Sequence, residues 1–412
     1  MTMIRKLTVG LAGVAALGLA APVSAQDFDG TITLGSAISL TGKYSTNGGH
    51  TKNGYDMAAD IINSKGGVEV GDKTYKIEIT YYDDESTPAR GAQLAERLIQ
   101  QDGVDFVLGP YSSGMTKAIA PVTEKHGVPM VEANGASRSL FTQGYEYLFA
   151  VLSTSEQYLA SAVELRAEIA EKNGKNPSDM KIAGVFENDP FSQDIRAGVL
   201  ADAKEYGMEM VIDDKLPPEI NDMSATLTKV KALNPDLMVV SGHSKGAALA
   251  IRQMSEQRVQ VPMLAMTHCD SAQIIQKFGS DAEYTLCASQ WAPSLSYEDD
   301  YFGSASNFAK DFEERFGYAP PYQSAESAAA VLVFKDAFER AGSLDRKAVR
   351  DALANTDLMT FYGPVKFDDT GKNIAKPMVL YQVQDGEYKV VAPTKWAAAD
   401  VRYPIPSWDE RE

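Results

Sequence analysis

From residue 31 onward the chain alternates short apolar or β-branched runs with longer stretches of helical spacing, and that rhythm admits few folds. A strand that pairs parallel with its predecessor needs a crossover, and a helix laid on the sheet is the compact way to make one. The first half reads as strand 31–39, helix 53–63, strand 75–82, helix 88–101, strand 104–108, a helix through Glu124 and strand 128–131. The rhythm restarts with helix 155–172, strand 181–186, helix 193–206, strand 208–215, helix 223–233, strand 237–241 and helix 245–257. Strands 262–266 and 283–288 follow, then helices 304–316 and 324–341. After Phe361 the pattern changes. Segments 365–367, 378–384 and 387–391, the last two parted by Asp385-Gly386, predict a β-hairpin on one edge, and the tail from Trp396 reads as extended surface chain. Two βα-rich halves, with no repeated motif and no low-complexity linker, predict an α/β protein of two similar, Rossmann-like lobes.

Length and charge narrow the function. A chain of 412 residues has room for two or three domains and a sizeable core. Lys plus Arg number 39 against 56 for Asp plus Glu, a net charge of -17 that repels phosphate backbones and anionic headgroups. No nucleic-acid partner is expected. Two cysteines exclude a disulfide-dense scaffold and any multi-cysteine metal motif. The one long apolar run is N-terminal: Arg5 and Lys6, an apolar small-residue stretch over 7–21, then Val23-Ser24-Ala25. That is the pattern of a secretory leader over 1–25, cut before Gln26 with no cysteine there to carry a lipid. The expected location is an oxidising one, the periplasm.

No glycine-rich nucleotide-binding pattern follows any strand, since Gly114 leads into Met115-Thr116. What recurs is glycine with hydroxyl residues at the carboxyl ends of neighbouring strands, at Ser112-Ser113 and in Asn134-Gly135-Ala136-Ser137. Such loops hold a carboxylate through serine hydroxyls and helix N–H groups, or they simply cap their helices. Gly242-His243-Ser244-Lys245-Gly246 has the spacing of a hydrolase nucleophile elbow. Its triad needs an acid and then a histidine, and downstream stand only Glu256, mid-helix, and His268. Among His50, His126, His243 and His268 no pair stands at i, i+4, so no metal is expected; His50, His243 and His268 fall near strand ends as polar contacts for a cleft. Cys269 and Cys287 form a disulfide, or Cys287 is a buried free thiol. The runs 83–85 and 298–300 read as solvated acidic loops, and Tyr44, Tyr111, Phe191, Trp291 and Tyr322 as pocket walls or core.

Six stretches carry a resemblance: ISLTGKYSTNG at 38–48, DDESTPARGAQLAERLI at 83–99, VDFVLGPYSSG at 104–114, VPMVEANGAS at 128–137, KIAGVFENDPFSQD at 181–194 and FYGPVKFDDTGKN at 361–373. In this order the chain resembles the periplasmic substrate-binding proteins of ABC importers, in the leucine/isoleucine/valine-binding protein family. The resemblance implies the type I periplasmic binding fold, two lobes joined by a three-segment hinge with crossings near 149–153, 290–293 and 356–361. Lobe 1 would hold 26–149 with 293–356, and lobe 2 would hold 150–292 with 357–412. It implies that Ser113 and the loop Gly135, Ala136, Ser137 grip a ligand carboxylate, while Phe191 and the loops His243–Ser244 and His268–Asp270 close from the second lobe. Asn47, Tyr111 and Tyr322 complete the candidate set. Amino-acid binders of this family place an acid where His268 falls, so Asp270 would substitute for it, or the ligand has no ammonium. The implied function is capture of a small carboxylate- or amide-bearing solute, an amino acid foremost, by lobe closure and delivery to an ABC permease. It comes with no cofactor, no catalysis and a monomeric state. The competing readings are a ligand-sensing domain of a signalling system and a secreted serine hydrolase using Ser244.

Overall fold

The computed structural model describes residues 28–411, so the expected leader over 1–25 lies outside the described residues. The chain opens with β1 (Gly30–Ile38), α1 (Ser45–Ser64), β2 (Val68–Val70), β3 (Lys73–Asp83), α2 (Pro88–Gln100), β4 (Phe106–Leu108), α3 (Ser113–Lys125), β5 (Met130–Glu132) and β6 (Leu148–Ala150). These make a six-stranded sheet ordered β2-β3-β1-β4-β5-β6, parallel except where β2 meets β3. Its middle strands are apolar on both faces, with Leu34 and Phe106 buried on one and Ala37 and Val107 on the other, because helices cover both sides.

A second unit follows: α4 (Ala160–Lys172), β7 (Lys181–Glu187), α5 (Pro190–Glu205), β8 (Glu209–Leu216), α6 (Ser224–Leu233), β9 (Leu237–Ser241), α7 (Ser244–Glu256), β10 (Leu264–Thr267), α8 (Ile274–Phe278) and β11 (Leu286–Ser289). The chain then returns to the first sheet's side with β12 (Glu298–Asp299), β13 (Gly303–Ser304), α9 (Ala305–Phe316), α10 (Tyr322–Ala341), α11 (Arg346–Ala354), β14 (Asp357–Thr360) and β15 (Gly363–Lys366). It ends in the second sheet with β16 (Val379–Gln384) and β17 (Glu387–Ala392). That sheet is seven-stranded, ordered β17-β16-β11-β10-β9-β7-β8, with the two last strands antiparallel on the edge. The Asp385-Gly386 turn expected there is present, both residues at positive φ as a tight hairpin requires.

Two expectations change. Helix α1 begins at Ser45 rather than near 53, although 45–52 reads as a glycine-rich polar turn. A Cβ at Gly48 would collide with the Ser39 backbone and one at Gly54 with the Ser324 carbonyl, so these glycines let α1 pack close rather than break it. The third passage between the lobes also lies later than 356–361. Strand β15 turns back on β14, and this hairpin packs on α10 and β12. The chain passes over along 371–377, where Ala150 N–H donates to Gly371 O and the Asn373 side-chain amide to Val151 O. Short-range pattern could not show this, because a hairpin's lobe is decided by the long-range surface it buries. Cys269 and Cys287 form the disulfide, bridging the end of β10 to its parallel neighbour β11 with Cα atoms 5.8 Å apart.

Candidate ligand site between the lobes

The site forms where strand ends of the two sheets face each other, the place an open α/β sheet offers a ligand. In the first lobe β4 runs into Tyr111 and Ser112, and Ser112, at φ +82°, caps α3. Beside it the loop after β5 is held from beneath by the buried Glu132, whose carboxyl accepts from the N–H groups of Asn134 (2.6 Å) and Gly135 (2.7 Å). A side chain at Gly109 or Gly135 would strike Glu132 or Thr116, so glycine at both positions makes room for this buried support. In the second lobe Asp189 caps α5 by accepting from Ser192 N–H, Phe191 sits in its first turn, His243 precedes α7 and His268 follows β10 at φ +62°. Ser112 and His268 are both non-glycine residues in left-handed backbone, a strain that persists where surrounding structure holds a residue for a purpose.

A polar chain joins the lobes. Asp189 lies 2.7 Å from His243 Nε2, His243 Nδ1 lies 2.7 Å from the Tyr111 hydroxyl, and that hydroxyl lies 2.9 Å from His268 Nε2. Burial opposes charge on His243, but the Asp189 carboxylate, with Glu187 behind it, holds its pKa above the ordinary value. Burial would raise Asp189, and the neighbouring His243 keeps it lowered instead. His268 is pushed well below its ordinary value by burial and by His243, and burial keeps Tyr111 a phenol. With His243 protonated, as its raised pKa favours, the imidazolium donates to Asp189 and to Tyr111, and Tyr111 donates to a neutral His268; with His243 neutral the chain reverses, His268 donating to Tyr111 and Tyr111 to His243. In the favoured arrangement His268 Nδ1–H is a buried donor without a partner.

Around this chain closes a narrow cavity of about 10 Å³, room for one water, so a solute enters it only as the lobes part. Of the expected residues, Tyr111, Ser113, Phe191, His243, His268 and Tyr322 line it. Phe191 stacks on His243 and meets Tyr158 edge-on, their centroids 5.7 and 5.1 Å apart. The other expected residues lie elsewhere. Gly135, Ala136 and Ser137 support the cavity from behind: Ser137 N–H donates to Ser113 Oγ (2.9 Å), the Ser137 hydroxyl to Asp194 (2.5 Å), and Ala136 O accepts from Ser155. Asn47 and Ser244 bond each other across the lobes (2.8 Å) in a neighbouring groove. Asp270 accepts from the N–H groups of Ser271 and Tyr322 at the start of α10 and faces a different groove; burial pushes its pKa up to about 6. His50 bonds Tyr318 and is not part of the lining.

Sequence reasoning missed Asn134, Tyr158, Gln323 and Glu326, which also line the cavity. Gln323 and Glu326 belong to α10, so their role depends on a second lobe far away in the chain. One signal was available: Gln323 and Glu326 stand one turn apart in the first half of α10, which is otherwise free of charge and rich in small and apolar residues. Asn134 Oδ1, both Gln323 amide atoms and His268 Nδ1 are buried without partners, each costing about 1–3 kcal/mol unless a ligand or water meets it. Glu326 is held well above the ordinary carboxyl pKa by burial, which favours its neutral form against the pull of the Tyr362 hydroxyl and Lys376. Among the described residues, Glu187, Asp189 and His243 form one grouping with metal-ligand spacing, but Glu187 already accepts from Glu219 N–H and Asp189 from His243 and Ser192.

The architecture has counterparts. A family profile described as Periplasmic binding protein matches residues 31–387. The chain belongs to the periplasmic binding protein family. The Leu/Ile/Val-binding protein homolog 7 of Brucella suis biovar 1 is 25% identical over 411 residues, which cover 97% of this chain and 99% of that protein. The branched-chain amino acid transporter substrate binding protein LivJ of Streptococcus pneumoniae, solved in complex with isoleucine, superposes with a TM-score of 0.74 at 22% identity over 91% of this chain and 100% of that one. A solute binding protein of an ABC transporter from R. palustris, solved in complex with benzoate, gives 0.76 at 18% identity over 90% and 98%. The chain therefore has the two-lobed type I fold of periplasmic binding proteins and serves as a solute-binding component of an ABC importer, with a small molecule and the permease as its partners. This periplasmic binding protein is not an enzyme. Ser244 fits that: its hydroxyl meets Asn47 and Ser271, while the His243 ring faces Asp189 and Tyr111, so no base attends the serine.

Proposed function

We propose that this periplasmic binding protein captures a small carboxylate with a flat apolar body and no ammonium group, and carries it to the permease. The observation that supports this reading most is the cavity's balance of charge. The nearest ionised acid, Asp189, is spent on His243. Glu326 faces the cavity as a neutral acid. What remains for a ligand is three donors, the Ser113 hydroxyl, His268 Nδ1–H and the Gln323 NH2, with an imidazolium behind them, beside two neutral amide acceptors, Asn134 Oδ1 and Gln323 Oε1. Tyr158, Phe191 and Tyr322 line the cavity and pack edge-on upon one another, centroids 5.1 and 6.2 Å apart, an aromatic wall that suits a planar body. The R. palustris protein with benzoate shares the fold.

A second reading has its own support: the Leu/Ile/Val-binding relatives point to an amino acid, and Glu326 is the acid that would ionise to meet its ammonium. Calorimetry on refolded protein with benzoate, cyclohexanecarboxylate, leucine, isoleucine and valine separates the two. The carboxylate reading expects the ammonium-free acids to bind and Glu326→Gln to keep them, since an amide donates where a neutral acid did. Binding of leucine, isoleucine or valine that Glu326→Gln abolishes would install the amino-acid reading instead. In either case Ser113→Ala weakens binding by about 1–3 kcal/mol, the loss of a hydrogen bond to a charged group.

A further inference from the structure

Outside the central cavity, a groove of about 330 Å³ opens between the lobes, floored by the Asn47–Ser244 hydrogen bond. Its lining includes Lys43, Lys245, Arg252 and Lys277 and not one Asp or Glu. In a protein of net charge -17 this is an unusual convergence. Among the described residues none of the four cations takes part in a salt bridge. Lys277 instead donates to the Ala272 carbonyl, and Lys43 lies over the Tyr44 ring, which in turn packs edge-on against His243.

The four come from both lobes. Lys43 precedes α1 in the first. Lys245 and Arg252 lie on α7, seven positions apart and so on one helical face, and Lys277 lies on α8, all in the second. Like charges gathered with no ion pair among them repel, and the repulsion between Lys43 and the other three acts against closing the lobes, even with the Asp189 carboxylate within electrostatic reach of Lys43. An oxyanion in the groove reverses the sign of that interaction, with the Arg252 fork and the lysine ammoniums as its charge-assisted donors.

We infer that this groove binds a multivalent oxyanion of the phosphate or dicarboxylate class, which bridges the two lobes and favours their closed arrangement. It is a second site, separate from the central cavity, and does not rest on which solute that cavity takes. By linkage, an anion that prefers the closed form and a solute that prefers it raise each other's affinity.

The test uses inorganic phosphate and succinate, each against sodium chloride of equal ionic strength, with thermal unfolding and small-angle scattering as readouts. Phosphate should raise the unfolding midpoint by about 2 °C beyond the salt control and reduce the radius of gyration. A succinate effect without a phosphate effect keeps the site and narrows its class to dicarboxylates. Lys245→Glu with Arg252→Glu should abolish both effects, and so should Lys43→Glu alone, because a bridge needs both lobes. Lys245 and Arg252 are exposed, so these changes leave the core untouched. The pair Lys231→Glu and Lys395→Glu changes net charge equally, away from the groove, and should keep the effect. No shift beyond the salt control with either anion, a shift surviving Lys245→Glu with Arg252→Glu, or one indifferent to Lys43→Glu would overturn the inference.

Discussion

Thr116 has one hydroxyl proton and two acceptors, the Ser112 carbonyl at 2.9 Å and the Glu132 carboxyl at 2.8 Å. The conflict disappears if Glu132 is protonated on the oxygen facing Thr116: it then donates to Thr116, which donates to Ser112, while its other oxygen accepts from Asn134 and Gly135. Burial agrees, pushing the Glu132 pKa up to about 7, although its hydrogen bonds from backbone N–H groups pull the other way. The folded state thus keeps a proton between about pH 4.5 and 7 that the unfolded chain releases, so this stabilisation is complete below about 4.5 and lost as pH rises through about 7. Glu132→Gln reproduces the protonated pattern, an amide donating to Thr116, and should flatten that loss, which is on the order of 3 kcal/mol at most. Asp84 and Asp270, each raised to about 6, tilt both proteins alike, so the readout is the difference between wild type and variant in urea unfolding at pH 5 and pH 8. An equal slope in both proteins would mean Glu132 is ionised in the fold.

At the scale of elements, β10 and β11 show what one chain pattern reveals and what it withholds. Both are apolar runs between turns and read as strands at once, but that they are parallel neighbours is a long-range fact, and on it hung whether Cys269 and Cys287 meet. The same division runs through the site. Ser113, Phe191, His243 and His268 were legible because each stands where a strand ends and a helix or turn begins. Asn47 and Ser244 stand in the first turns of α1 and α7, equally plausible positions, and lie in the neighbouring groove, because where a helix end points is set by packing. Glu326 offered only its isolation as a charge in the first half of α10, since a stretch buried on nearly every side gives no amphipathic stripe to place it by. The disulfide ties down the loop carrying His268, Asp270 and Ser271, so its loss should act on two observables. Replacing both cysteines with serine is expected to cost about 3 kcal/mol in urea unfolding, the loop-closure value for a separation of this order. It should also weaken solute binding, because His268 no longer has its left-handed conformation enforced. A stability loss with unchanged affinity would separate the bridge from the site.

The whole molecule turns on a buried knot where the three passages between lobes meet. Gln290 exchanges hydrogen bonds with the Ser153 backbone (3.1 and 3.0 Å), the Ser153 hydroxyl donates to the Lys376 carbonyl (2.6 Å), and Lys376 Nζ donates to the Gln290 carbonyl. Tyr362 carries the knot to the cavity, its hydroxyl 3.3 Å from both Gln290 and Glu326. Tyr362 therefore links the passages between the lobes to Glu326 in the cavity, and Glu326 and Lys376 act on each other's ionisation. Burial lowers the Lys376 pKa from 10.5 to about 7, and Glu326 offsets only part of it. Between those values the unfolded chain holds a proton that the folded one lacks, so stability from this group is complete above about 10.5 and lost as pH falls through about 7. Lys376→Met keeps the volume and removes the titration. Wild type should gain stability from pH 7 to pH 10 relative to the variant, while the variant, its Gln290 carbonyl left without a donor, should close less completely on its solute at pH 8. Small-angle scattering with and without solute measures that closure. If the variant follows the wild-type pH curve, the ammonium is not buried at the hinge; if only closure changes, the knot sets the geometry of the passages without storing the proton.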